Sequence, residues 1–171
     1  MSRVLISILA YICLVNTAAA DVYQEPSAFI EEAFSGDPPP PARVWITKGL
    51  RDQASAVLGH SPAALRYSYW RRGERTVWVL DEIGKEQPIT AGFIIDGGRV
   101  TAVRVLIFRE TRGWEIRYPF FTDQFTGIML DPNNRLDGKI DGISGATLSV
   151  NALVRLTSLA LLLNRHVTSG K

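Results

Sequence analysis

Towards the carboxyl end, the segment Asp141-Gly142-Ile143-Ser144-Gly145-Ala146-Thr147 sets two hydroxyls and three small residues directly ahead of an apolar helical pattern. Ser144 is suited to cap that helix, Gly145 allows close backbone approach, Ala146 is small, and Thr147 falls near the third helical position. Unpaired amide hydrogens and the positive end of the helix dipole, roughly half a unit charge, converge there. Such a place can hold a phosphate, and Thr147 offers an oxygen to which a phosphate could be joined. The same residues also read as an ordinary capped helix with Thr147 in solvent. Residue types alone leave both readings open.

The elements that must position this segment follow from periodicity. Leu148, Ala152, Leu156, Leu159, Ala160 and Leu163 recur at three- and four-residue spacing up to Asn164-Arg165, which predicts a helix of about five turns. Upstream, Ile89–Asp96 and Arg99–Ile107 are strand-like runs joined by Gly97-Gly98, the signature of a tight antiparallel hairpin. Leu65–Trp70 and Arg75–Leu80 read as two more strands across Arg71-Arg72-Gly73-Glu74, a solvated turn rather than a binding patch. A strand at Val44-Trp45-Ile46 precedes a helix over Lys48–Leu58, broken by Gly59-His60-Ser61-Pro62. Earlier still, residues 25–34 form a short amphipathic helix, with Ser27 as its cap and Pro38–Pro41 as its stop. Between Phe108 and Asp141 the pattern fades into a long aromatic loop with short strands, carrying Trp114, Tyr118, Phe120, Phe121 and Phe125. The expected architecture is a single α+β domain, an antiparallel sheet with packed helices.

The amino end reads differently. Met1-Ser2-Arg3, an apolar run from Val4 to Val15 and the exit Ala18-Ala19-Ala20 have the layout of a secretory signal peptide cleaved before Asp21, although a retained anchor is the alternative. The run falls short of the roughly 20 apolar residues a membrane span requires. Cys13, the sole cysteine, lies inside it, so the remaining chain excludes disulfides, thiolate-held clusters and thioether-linked haem. Nineteen Lys and Arg against seventeen Asp and Glu give no electrostatic case for nucleic acid. His60 and His166 are far apart and read as a turn residue and a helix-end cation, so no catalytic or metal role is assigned to either.

The Asp141–Thr147 segment resembles the Asp-x-x-Ser/Thr-Gly-Ala-Thr/Ser motif of the FMN-binding domain family, which includes periplasmic flavin subunits of sodium-pumping quinone reductases and Rnf-type electron-transport complexes. The resemblance covers roughly residues 72–165, preceded by a helical and extended region at 21–71 and followed by a tail at 166–171. It implies covalent FMN on Thr147, esterified through the phosphate at the start of the last helix by a flavin transferase. Ser144, Gly145, Ala146 and Leu148 would surround that phosphate through their backbone. Asp141 would be read by the transferase during loading, or serves only as a turn-former. Ser149 lies nearby but off the acceptor position.

Trp114 and Tyr118 are the favoured rings to flank the flavin, since each pairs a flat face with a polar handle; core packing explains most of the other aromatics equally well. Glu110 and Arg112 read either as groups that orient the ring or as a surface salt link. The implied function is that of an exported, extracytoplasmic or periplasmic electron carrier, served by membrane or extracytoplasmic redox partners, rather than a stand-alone enzyme. The alternatives are a flavin-dependent reductase of a small substrate and a redox-sensing module. Residues 21–71 do not look like the membrane-proximal region of the pump subunits, so neither complex is assigned.

Overall fold

The computed structural model describes residues 20–169, and the expected export segment lies, apart from Ala20, outside the described residues. The protein is α+β. Its strands are β1 (Asp21–Val22), β2 (Ala42–Trp45), β3 (Arg66–Arg72), β4 (Arg75–Ile83), β5 (Pro88–Asp96) and β6 (Arg99–Phe108). They form one antiparallel sheet in the order β1-β6-β5-β4-β3-β2. The central hairpin closes Asp96 onto Arg99, with Gly97 and Gly98 at φ 56° and 79°, the left-handed pair that a two-residue turn of this twist requires.

Alternation along the strands buries both faces of the sheet. Trp78, Leu80, Ala91, Phe93 and Ile95 face one core, which is shared with α2 (Lys48–Leu58) and α4 (Thr147–Ser169). Val77 and Leu106 face a second core, filled by Phe29, Ile30, Ala33 and Phe34 from the first helix and its end. That helix is α1 (Pro26–Ala33), and its Phe29 packs directly over Gly92: a Cβ there would lie 2.4 Å from the ring.

Three local expectations change. Ser27 is not the cap of α1; Glu25 holds that position without a side-chain bond, and Pro26, whose fixed φ suits the first helical turn, begins the helix. The helix ends before the proline run, where Ser35 and Gly36 turn left-handed and the Gly36 amide donates to the Glu31 carbonyl at 2.8 Å. Between Phe108 and Asp141, two 3-10 turns (Trp114–Arg117 and Asp123–Phe125) and the short helix α3 (Pro119–Thr122) replace the expected short strands. Only an isolated bridge, Leu130 to Leu136, resembles sheet, and Asp131 closes it by accepting the Asn133 and Arg135 amides, both at 2.8 Å.

The last helix starts later than a cap at Ser144 would place it and runs further than its apolar spacing suggested, from Thr147 to Ser169. Arg71 supports the added turn by donating to the Val167 carbonyl at 2.8 Å. Arg72 pairs with Asp37 and Arg75 with Asp96, so this basic cluster is spent on the fold's own groups, as a structural turn. By length and composition α4 is apolar enough to cross a membrane, and 72% of its most apolar window is buried inside the domain. Two buried hydrogen bonds fix its register on the sheet: Trp78 Nε1 donates to Thr76 Oγ1 at 2.9 Å, and Thr76 Oγ1 to Asn164 Oδ1 at 2.8 Å.

Candidate functional site at the start of the last helix

The segment ahead of α4 folds as a turn from Ile143 to Ala146, closed by the Ala146 amide donating to the Ile143 carbonyl at 3.0 Å. Gly145 takes its third position at φ 83°, which disfavours any residue with a Cβ. The first helical bond runs from the Val150 amide to the Ala146 carbonyl at 2.9 Å. Ala146, buried, is therefore the residue at the cap, and Ser144 is an exposed turn residue instead of the cap expected from its hydroxyl. Thr147 is the first helical residue rather than the third. Its own amide and those of Leu148 and Ser149 have no acceptor within the helix. Thr147 and Leu148 are exposed, and Ser149 is buried.

These residues form one wall of an open groove of about 600 Å³; Lys85, Glu110, Thr111 and Arg112 form the other. Lys85 comes from the β4–β5 turn, where its ammonium pairs with Glu86 at 2.9 Å, and the others come from the chain leaving β6. Glu110 neither bonds a ligand-facing group nor pairs with Arg112. Its Oε1 accepts the amides of Lys85 at 2.5 Å, Glu86 at 2.6 Å and Gln87 at 2.9 Å, clamping the turn that presents Lys85. Burial raises the pKa of this carboxyl, but the Gln87, Glu86 and Lys85 amides outweigh it and the net shift is downward. The groove thus sets the three helix-start amides, Arg112 and the Glu86-paired Lys85 around one open space, with the carboxylate of its lining already engaged.

Gly145, Ala146, Thr147 and Leu148 are brought together as expected, with Ser144 in the adjoining turn. Asp141 stands apart on the surface, where its carboxylate pairs with Lys139 at 3.0 Å and its amide donates to Gln124 Oε1 at 2.7 Å. Trp114 and Tyr118 do not line this groove. Both are partly exposed, at 41% and 37%, with their rings edge to face at 5.9 Å, and Tyr118 lines a second groove. Phe121 and Phe125 are fully buried core residues. Gly113 connects the two regions: at φ 88° it packs so tightly that a Cβ would lie 2.3 Å from Ser149 Oγ. Sequence reasoning missed Gly113 and Lys85. The glycine before Trp114 was a usable signal for the first, while nothing local marks the second.

A further cluster lies under the β4 end of the sheet. The carboxylate of Glu82, only 5% exposed, accepts from Arg155 of α4 at 3.2 Å and from His60 Nε2 at 2.9 Å. The protonated imidazole also donates from Nδ1 to the Ser61 carbonyl at 2.9 Å. That carbonyl first, and Glu82 second, raise the His60 pKa above its usual 6.5. A raised folded value means that the contribution of His60 to stability is complete below about pH 6.5 and is lost as pH rises through the folded pKa. His60 is 48% exposed, so the effect is modest. The expected result is that His60→Ala lowers the urea midpoint more at pH 5.5 than at pH 8.5; equal losses at both would refute the linkage.

Compared with models of known families, residues 84–162 match the FMN-binding domain. No curated protein matches the chain by sequence.

Proposed function

We propose, from the match of residues 84–162 to the FMN-binding domain family, that the chain carries FMN covalently on Thr147 and passes electrons between redox partners. The observation that carries this reading is the exposed Thr147 hydroxyl at the first helical position, beside three unpaired amides and opposite Lys85 and Arg112. This donor set suits a phosphate ester: the amides and the helix dipole offset its charge, and Arg112 and Lys85 line the same groove. Gly145 keeps the approach to the backbone clear, and Leu148 offers an apolar surface at the rim. FMN supplies the electron-transfer chemistry when bound, and the protein's part is to hold and orient it. The ester prevents cofactor loss, which suits a protein working outside the cytoplasm. The export segment at residues 1–20, a flavin transferase for maturation and membrane or extracytoplasmic redox partners belong to the same proposal.

The decisive measurement is mass spectrometry of the chain produced together with a flavin transferase. We expect an FMN-sized adduct on the peptide containing Thr147, and none in Thr147→Ala. Because Thr147 is exposed, that variant should stay within about 0.5 kcal/mol of the parent in stability. An unmodified Thr147, or an adduct that survives the substitution, would remove the attachment claim.

A further inference from the structure

A groove of about 740 Å³ lies away from the Thr147 cradle, between the outer edge of β6 and the segment from Arg117 to Thr126. Its volume falls within the range of small-molecule sites. The feature within it that lacks a structural explanation is Arg117. The guanidinium sits 4.4 Å from the Tyr23 ring centroid, 4.9 Å from that of Tyr118 and 5.3 Å from that of Trp114. It donates to the Tyr118 hydroxyl at 3.1 Å, and its Nε is buried without an acceptor. No carboxylate pairs with it among the described residues. Three rings thus hold a cation in place while its charge stays uncompensated, an arrangement that preorganises a guanidinium for a carboxylate.

The opposite wall supplies hydrogen-bonding groups. The Tyr23 and Gln24 amides reach the Leu106 carbonyl at one end of the β6 edge, and Gly127 and Ile128 bond Val100 at the other. From Thr101 to Val105 the outer edge has no backbone partner among the described residues. Register shifts opposite Ile94/Ile95 and Thr90/Ala91 interrupt this edge at both ends. Those bulges work against the addition of a straight peptide strand and leave a short row of donors and acceptors suited to a compact ligand. Charge narrows the class. Arg104 is neutralised by Glu32 at 2.9 Å, and Asp123 places one carboxylate on the lining, so the groove suits one negative charge rather than several.

We infer that this groove binds a small organic monocarboxylate with a flat body, its carboxylate on the terminal nitrogens of Arg117 and its body against the Tyr118 ring. The site does not depend on flavin loading, although Trp114 follows Gly113, which packs on Ser149 at the start of α4, and a ligand here lies one 3-10 turn along the chain from that helix start.

Benzoate is the probe, with uncharged benzamide as its isosteric control, each titrated into the full chain and followed by ¹H–¹⁵N NMR. The expected result is saturable shifts for benzoate in the Thr101–Val105 amides and the Trp114 indole, with at least tenfold weaker binding of benzamide. Arg117→Met should weaken benzoate at least tenfold, and Arg117→Lys should retain part of the affinity. The absence of saturable shifts with benzoate, an equal response to benzamide, or undiminished binding by Arg117→Met would each overturn the assignment. The comparison of the two probes uses the parent chain, so it stands even where a variant fails to fold.

Discussion

Replacing Glu82 with alanine is expected to cost about 2–3 kcal/mol, read as a lower urea midpoint with an unchanged slope. The reason is asymmetry. Glu82 is almost fully buried and Arg155 is 29% exposed, so removing the carboxylate leaves a largely desolvated guanidinium with one remaining acceptor, the Ile83 carbonyl at 3.1 Å. Its Nε already lacks a partner. Removing both charges together is a different case, because neither is then left unpaired. The Glu82→Leu/Arg155→Met double variant should therefore be less destabilised than the sum of its single variants. Additive losses would show that the two groups do not depend on each other. His60, half in solvent, accounts for the small pH-dependent part.

Gly113→Ala should be comparably costly, about 3 kcal/mol, from two sources. A left-handed φ costs an L-residue roughly 1–2 kcal/mol, and overpacking adds about 1–3 kcal/mol. The added Cβ would meet Ser149 Oγ at 2.3 Å, Ser149 Cβ at 3.1 Å and Ala146 Cβ at 3.5 Å, all at the start of α4. Adding Ser149→Ala to this variant removes the closest of these contacts and should recover part of the loss, leaving the φ penalty. Full recovery would show that the backbone angle is unimportant, and no recovery that the hydroxyl is not what the methyl meets. Under the proposed attachment, the same change should reduce FMN loading on Thr147, since relief of the clash displaces the wall that carries the hydroxyl.

The parts of this protein that were readable in advance are those whose cause is local. Gly59, left-handed at φ 78°, ends α2 at Leu58, and the helix lies where periodicity placed it, over Lys48–Leu58. Gly97-Gly98 specified the central hairpin because only left-handed residues close such a turn. The start of the last helix was located in the 141–147 segment, although Gly145 was read there for close approach to a ligand and not for the left-handed turn that it makes. Within these segments the hydroxyls misled. Ser27 and Ser144 have cap chemistry, but Pro26 and the glycine turn at Gly145 decide where the helices begin. The aromatic stretch gave no period because 3-10 turns of three or four residues are too short to repeat one. On the groove's opposite wall, Glu110 and Arg112 were picked out but Lys85 was unreadable for a different reason. Lys85 reaches the Thr147 region only because a hairpin brings it there, and no spacing along the chain records that meeting.

The Glu110 clamp also bears on stoichiometry. Two sets of backbone amides border the Thr147 groove, at residues 85–87 and at residues 147–149, and each could be filled by a separate anion. The chain occupies the first with its own carboxylate, whose pKa the same amides lower against the opposing effect of burial. Of the two sets of amides, only the one beside the Thr147 hydroxyl is left without an acceptor of the chain's own. Under the proposed attachment, this limits the groove to one phosphate, at the hydroxyl.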